Sequence, residues 1–196
     1  MKTKVALRDK LIAIVDLETT GLDPATHEII QVAVRVMRPD GRIVEDYEVK
    51  VLPEHIETAN KIALRVNKYS EEAWEDAIPL VDAMSTLRVL LKRRVICGQN
   101  VNFDLGFLYA AFKQVGLSPS WDRRFIDTMT LAYVNLVPLG LDKISLESTC
   151  DFLGISNEGA HDALVDVRRT YEVYLQLRNG LPWYRRLLLW HRQRCL

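Results

Sequence analysis

Cysteine is scarce in this sequence and unpaired in pattern: Cys97, Cys150 and Cys195 are odd in number, far apart and in no CxxC pair. That argues against a disulfide framework and a thiolate zinc site, and fits a reducing, cytoplasmic compartment. Long hydrophobic runs are missing too. Lys2, Lys4, Arg8 and Lys10 precede an apolar run at residues 11–15, but Asp16 ends it short of a secretory signal, and no other stretch is long enough to span a bilayer. Nor is there an excess of charge of either sign. The 26 basic residues offset 26 acidic ones, so bulk charge is neutral evidence on a nucleic-acid partner and any attraction must be local. With no internal repeat, low-complexity segment or interdomain linker, the 196 residues, 48% of them hydrophobic, predict one compact domain with a sizeable core.

The pattern of apolar residues predicts a layered α/β fold. Residues 11–17 read as a short buried strand, and residues 29–37, with Val32, Val34 and Val36 alternating, as a second. Pro39, Asp40 and Gly41 supply a turn, and residues 43–51 return as a third strand, giving an antiparallel meander. Helices are expected over 71–76 behind a Ser70 cap and from Pro79 to about Arg93. Strand and helix then alternate. A strand at 95–97 precedes a helix at 102–115 stopped by Gly116; a strand at 125–127 precedes a helix at 129–134; helices follow at 145–153, closed by Gly154, and at 160–177. The expected architecture is a mixed sheet covered by helices.

The chemistry rests on carboxylates. Asp16 and Glu18 close the first strand, where the period of two puts both side chains on one face. Two such groups side by side repel, and the pair makes most sense as a site for a hard cation. Thr19, Thr20 and Gly21 follow as a turn whose backbone can come close to a ligand. Asp104 falls in the first turn of a helix that begins just after the 95–97 strand, where a carboxylate also complements the helix dipole. His161 and Asp166 lie five residues apart, so within one regular helix their side chains would point about 140° from each other. They converge only if His161 sits at the start of the helix and Asp166 points inward from its second turn.

Taken together, these residues resemble the DnaQ-like family of the DEDDh subgroup, which has an RNase H-like fold. Its first motif is matched by Asp16-Leu17-Glu18-Thr19-Thr20-Gly21-Leu22, its second by Gly98 to Asp104, and its third by His161-Asp162-Ala163-Leu164-Val165-Asp166. Gln99 departs from the Gly-His-Asn version of the second motif, a change that bears on contacts to the terminal nucleotide rather than on the metal site. The resemblance implies a 3′→5′ exonuclease that shortens single-stranded nucleic acid, DNA favoured, to nucleoside 5′-monophosphates. It implies two divalent cations, Mg²⁺ or Mn²⁺, with Asp16, Glu18 and Asp166 at one and Asp16 bridging to a second near Asp104. His161 becomes the general base. Leu17, Thr19, Thr20, Leu22, Gln99, Asn100 and Phe103 are expected at the terminal nucleotide.

Two alternatives use the same carboxylates: an exoribonuclease of the RNase T or oligoribonuclease type, and a proofreading subunit that acts mainly within a DNA polymerase complex. The exonuclease domain is expected over residues 1–177. Beyond it, residues 178–196 hold Arg185, Arg186, Arg192 and Arg194 among Trp183, Tyr184 and Trp190, with no acidic residue. Such a tail suits a single strand. Leu187, Leu188 and Leu189 equally suit docking on the core or on a partner.

Overall fold

The computed structural model describes residues 6–185 and 187–188. Five strands form one mixed sheet: β1 (Ile12–Thr19), β2 (Ile29–Met37), β3 (Ile43–Lys50), β4 (Val95–Gly98) and β5 (Phe125–Asp127). Their order is β3-β2-β1-β4-β5. β1, β2 and β3 run as an antiparallel meander, whereas β4 lies parallel to β1 and β5 parallel to β4. Both the meander and the parallel half agree with the sequence pattern.

The two faces of β1 explain how the site is placed. Ala13, Val15 and Leu17 face a core shared with α2 (Leu80–Leu90) and α3 (Val101–Gln114), which contribute Ala83, Met84, Leu87, Val101, Leu105 and Leu108. Ile12 and Ile14 face the other way, against Ala163, Val167 and Tyr174 of α6 (Ala163–Leu177). Strand alternation therefore carries Asp16 and Glu18 on along the α6 face. A third cluster joins α4 (Thr128–Leu136), α5 (Leu146–Leu153) and α6 through Leu136, Phe152, Leu153, Val173 and Leu177.

Four local expectations differ. Residues 71–76 form turns rather than a helix, held by the Trp74 indole, which is buried and donates to the Ile30 carbonyl at 2.8 Å. A short helix that the pattern did not predict, α1 (Lys61–Val66), is capped by Asn60, whose side chain accepts from the Ile62 and Ala63 amides. α2 stops at Leu90, and Arg93 turns the chain with a left-handed φ of 61°. α6 begins at Ala163 rather than at 160, because the Asp162 carboxylate caps it by accepting from the Val165 amide at 3.1 Å.

In the tail, Leu181 is buried with the third cluster, whereas Trp183 and Leu188 are largely exposed. The expectations on Arg186, Leu189, Trp190, Arg192 and Arg194 lie outside the described residues.

Candidate active site

The site forms where parallel strands β1 and β4 end. Asp16 and Glu18 stand on β1, and Asp166 projects beneath them from the first turn of α6, not the second, because the helix starts at Ala163 rather than at 160. Ligand atoms of these three residues all lie within 4.8 Å of one another. Asp104 comes from the first turn of α3, buried, and reaches the cluster from the opposite side of the sheet. It enters the site because β4 ends at Gly98 and the chain turns at once into α3. Asn100 takes the left-handed conformation there, with φ 57° and its amide donating to Asp127 Oδ1 at 3.2 Å. A side chain at Gly98 would press on Val101 and on the Val15 carbonyl, each 3.3 Å from the added carbon.

The electrostatics of the cluster are adverse without a cation. Asp16 is pushed well above the usual carboxylate range, first by burial, then by Asp104, Glu18 and Asp166, with Arg169 opposing. Burial and repulsion from Asp166 and Asp162 push Glu18 up to about 7. Asp104 is raised mainly by burial, against the pull of the Asp104 and Leu17 backbone amides. Asp16, Glu18 and Asp104, which ionise at a cost, are relieved by positive charge, and an all-oxygen set of this kind suits a hard divalent cation rather than a soft metal.

His161 lies just before α6 with φ 66°, a left-handed geometry rare for a non-glycine residue. The non-helical start required by the five-residue spacing is thus present. The His161 amide donates to Asp166 Oδ2 at 3.3 Å, which ties the backbone of one residue to the side chain of the other.

The remaining expected contact residues divide into two groups. Leu17 is buried in the core. The Thr19 hydroxyl donates to the Gly21 carbonyl at 2.7 Å, and the Thr20 hydroxyl accepts from the Glu28 amide at 2.8 Å, so both hydroxyls build the turn. Gln99 is engaged at both ends of its amide: Nε2 donates to the Ile144 carbonyl and Oε1 accepts from the Thr128 hydroxyl, each at 2.7 Å. Phe103 is half-buried, its ring 5.0 Å from that of Phe107. Leu22 and Asn100, by contrast, are exposed.

Several supporting residues were not singled out from the sequence. Buried Asn67 donates to the Thr19 carbonyl at 2.9 Å, and the Asn60 amide to the Thr20 carbonyl at 2.7 Å, so α1 anchors the turn that follows β1. His27 covers Gly21 so closely that a side chain there would lie 2.3 Å from the imidazole. Arg169 pairs with Asp166 at 2.6 Å, three residues along α6, a spacing that places two side chains together on a helix and was legible in principle.

A mixed sheet with acidic residues at the ends of its central strands, covered by an inward-facing helical carboxylate, defines the class of nucleases with an RNase H-like fold. The chain belongs to the exonuclease family of that class: the RNase T exonuclease family model matches residues 13–174. Ribonuclease T of Shewanella frigidimarina is 30% identical over 91% of this chain and 86% of the relative. The PolC-type DNA polymerase III of Thermotoga petrophila is 32% identical over 83% of this chain, which spans only 11% of that polymerase. Among solved structures, the zinc-bound E. coli ExoI–ssDNA complex shares the fold, with a TM-score of 0.76 at 22% identity over 87% of this chain and 41% of the other. Exonuclease I of Methylocaldum szegediense matches with a TM-score of 0.75 at 20% identity, over 92% and 42% of the two chains.

Proposed function

We propose that this chain is a 3′→5′ exonuclease that removes nucleotides one at a time from a single-stranded end. The observation that carries the reading is the meeting of Asp16, Glu18 and Asp166 within 4.8 Å at the strand ends, in a chain of the exonuclease family. Asp16, Glu18 and Asp166 would hold one divalent cation, and Asp16 with Asp104 a second. Bound there, the cations supply electrostatic stabilisation to the phosphoryl group and the departing oxygen.

The chain's own side chains do the rest. The His161 imidazole takes a proton from the attacking water as the new phosphorus–oxygen bond forms. The bond from phosphorus to the 3′-oxygen of the preceding nucleotide breaks, that oxygen regains a proton, and the terminal unit leaves as a nucleoside 5′-monophosphate. Exposed Leu22 and half-buried Phe103 offer apolar surface to the terminal bases. None of these contacts reads a base edge, so the end rather than the sequence is recognised.

DNA is the favoured substrate. A second reading, an exoribonuclease, draws on the Ribonuclease T relatives, which align over most of their own length, whereas the polymerases align over a small part. The polymerase relatives support a third reading, association with a DNA polymerase. Two buried free thiols, Cys97 and Cys150, fit a cytoplasmic setting. The test is incubation of 5′-labelled single-stranded DNA and RNA with Mg²⁺ or Mn²⁺. A ladder shortened one nucleotide at a time from the 3′ end is expected; internal cuts, 5′ release or no turnover would overturn the reading.

A further inference from the structure

Arg169 is the most deeply buried cation beside the site, 5% exposed, and it stands on the inward face of α6 with Asp166, Val173 and Leu177. Packing alone does not account for it. An apolar side chain fills such a position without the desolvation cost of a guanidinium, and here Nε is buried with no partner among the described residues. Its fork instead joins two pieces of the site. Nη1 donates to Asp166 Oδ1 at 2.6 Å, while Nη2 donates to the side-chain oxygen of Asn157. Asn157 in turn donates to the Glu147 carbonyl at 3.1 Å and to Asp151 Oδ1 at 2.6 Å, both on α5.

These bonds enclose the segment that carries His161. Residues 154–162 leave α5 at Gly154 and reach α6 at Asp162; Asn157 is pinned in their middle by Arg169, and the His161 amide is pinned at their end by Asp166 Oδ2. Both oxygens of Asp166 are therefore spoken for by groups that fix its plane. The same guanidinium fixes the carboxylate and the loop.

Resting on the exonuclease reading above, we propose that Arg169 is a positioning residue for that reaction: it sets the orientation of Asp166 and, through Asn157, the place of His161. It touches neither substrate nor the reacting atoms. A fork with two simultaneous acceptors is something Arg supplies and Lys supplies only in part.

The test compares Arg169→Met, Arg169→Lys and Asn157→Ala in the full chain on a 5′-labelled single-stranded oligonucleotide at saturating Mn²⁺. Arg169→Met should lower kcat by about 10- to 100-fold, the usual loss when the partner of a metal-ligating group is removed, with KM within about twofold of wild type. Arg169→Lys should recover part of kcat, since it can keep the pair with Asp166. Packing alone predicts the reverse order, because Met suits an apolar neighbourhood better than Lys. Hydrogen exchange at residues 155–162 should quicken in Arg169→Met while β1 and β2 stay protected. Unchanged kcat, Met outperforming Lys, or unchanged exchange in the loop overturns the proposal. Should Arg169→Met fail to fold, Asn157→Ala decides, since it leaves the pair with Asp166: faster loop exchange with reduced kcat supports the assignment, and wild-type values for both refute it. A wild-type chain without 3′→5′ turnover would sink the exonuclease reading instead, and the exchange measurement would still decide whether Arg169 clamps the loop.

Discussion

Removing the cations and raising the pH should destabilise this protein together, and Glu18 gives the size of the effect. Its carboxyl is raised from an ordinary 4.5 to about 7 by burial and by the neighbouring Asp166 and Asp162. A carboxyl that binds its proton more tightly in the folded than in the unfolded chain contributes stability below pH 4.5 and loses it as pH rises through about 7. The shift corresponds to about 3 kcal/mol. For a domain of this size that is a fall in Tm of about 6–12 °C. Bound Mg²⁺ or Mn²⁺ favours the ionised carboxylates and should flatten or reverse the slope. The assay is thermal melting from pH 4.5 to 8 in chelator and in excess Mn²⁺, for wild type and Glu18→Gln. Glu18→Gln also relieves Asp16 and Asp104, which Glu18 pushes up, so the difference between their slopes in chelator reports Glu18 together with its coupling to those two carboxylates. Equal slopes would show that Glu18 ionises freely in the folded protein, and the account of a strained, cation-seeking cluster would fail.

Asp16→Asn should abolish turnover more completely than any other single change, since the proposed bridging carboxylate serves both cations; a folded variant with near-normal rate would remove Asp16 from the site. His161→Gly should separate stability from chemistry. The left-handed φ of 66° costs glycine nothing, so Tm should hold or rise, while turnover falls by about 10² to 10⁴ with single-strand binding intact; wild-type turnover would remove exposed His161 from the chemistry. Gln99→Ala should lower Tm, because it strips partners from the Ile144 carbonyl and the Thr128 hydroxyl, and a change in KM without a change in Tm would instead mark Gln99 as a substrate contact. Deleting residues 181–196 removes buried Leu181 and should lower Tm modestly, whereas a weaker salt dependence of single-strand binding at unchanged Tm would identify the tail as a phosphate contact.

The fold was legible wherever one physical rule dominated. Alternation and the Pro39-Asp40-Gly41 turn sufficed for the meander, and strand–helix alternation for the parallel half. The pattern failed where tertiary contacts overrode local preference. Residues 71–76 carry helix formers behind a good cap, yet Trp74 is drawn into the core to bond the Ile30 carbonyl, and the segment follows its indole. α1 is six residues long, too short for periodicity to detect, and exists through the Asn60 cap and its attachment to the turn after β1.

The same distinction separates the parts of the site. Asp16 and Glu18 could be read as neighbours because a strand fixes their relation locally. His161 and Asp166 were legible only as a contradiction, since a helix through both would turn them apart. The structure resolves it with a backbone cost: His161 takes a left-handed conformation ahead of an Asp162 cap, and Asp166 is held from two sides. A strained residue persists only where its surroundings over-determine it. The bonds that do so run through Asn157 and Arg169; Asn157 is a polar residue in a loop and does not declare itself in the sequence, and Arg169, with Arg168 beside it, is marked there only by its three-residue spacing from Asp166. Which of two adjacent arginines turns inward is decided by the phase of α6 against the sheet. That phase is fixed by Val167, Val173, Tyr174 and Leu177, so the packing of apolar residues determines which cation meets Asp166.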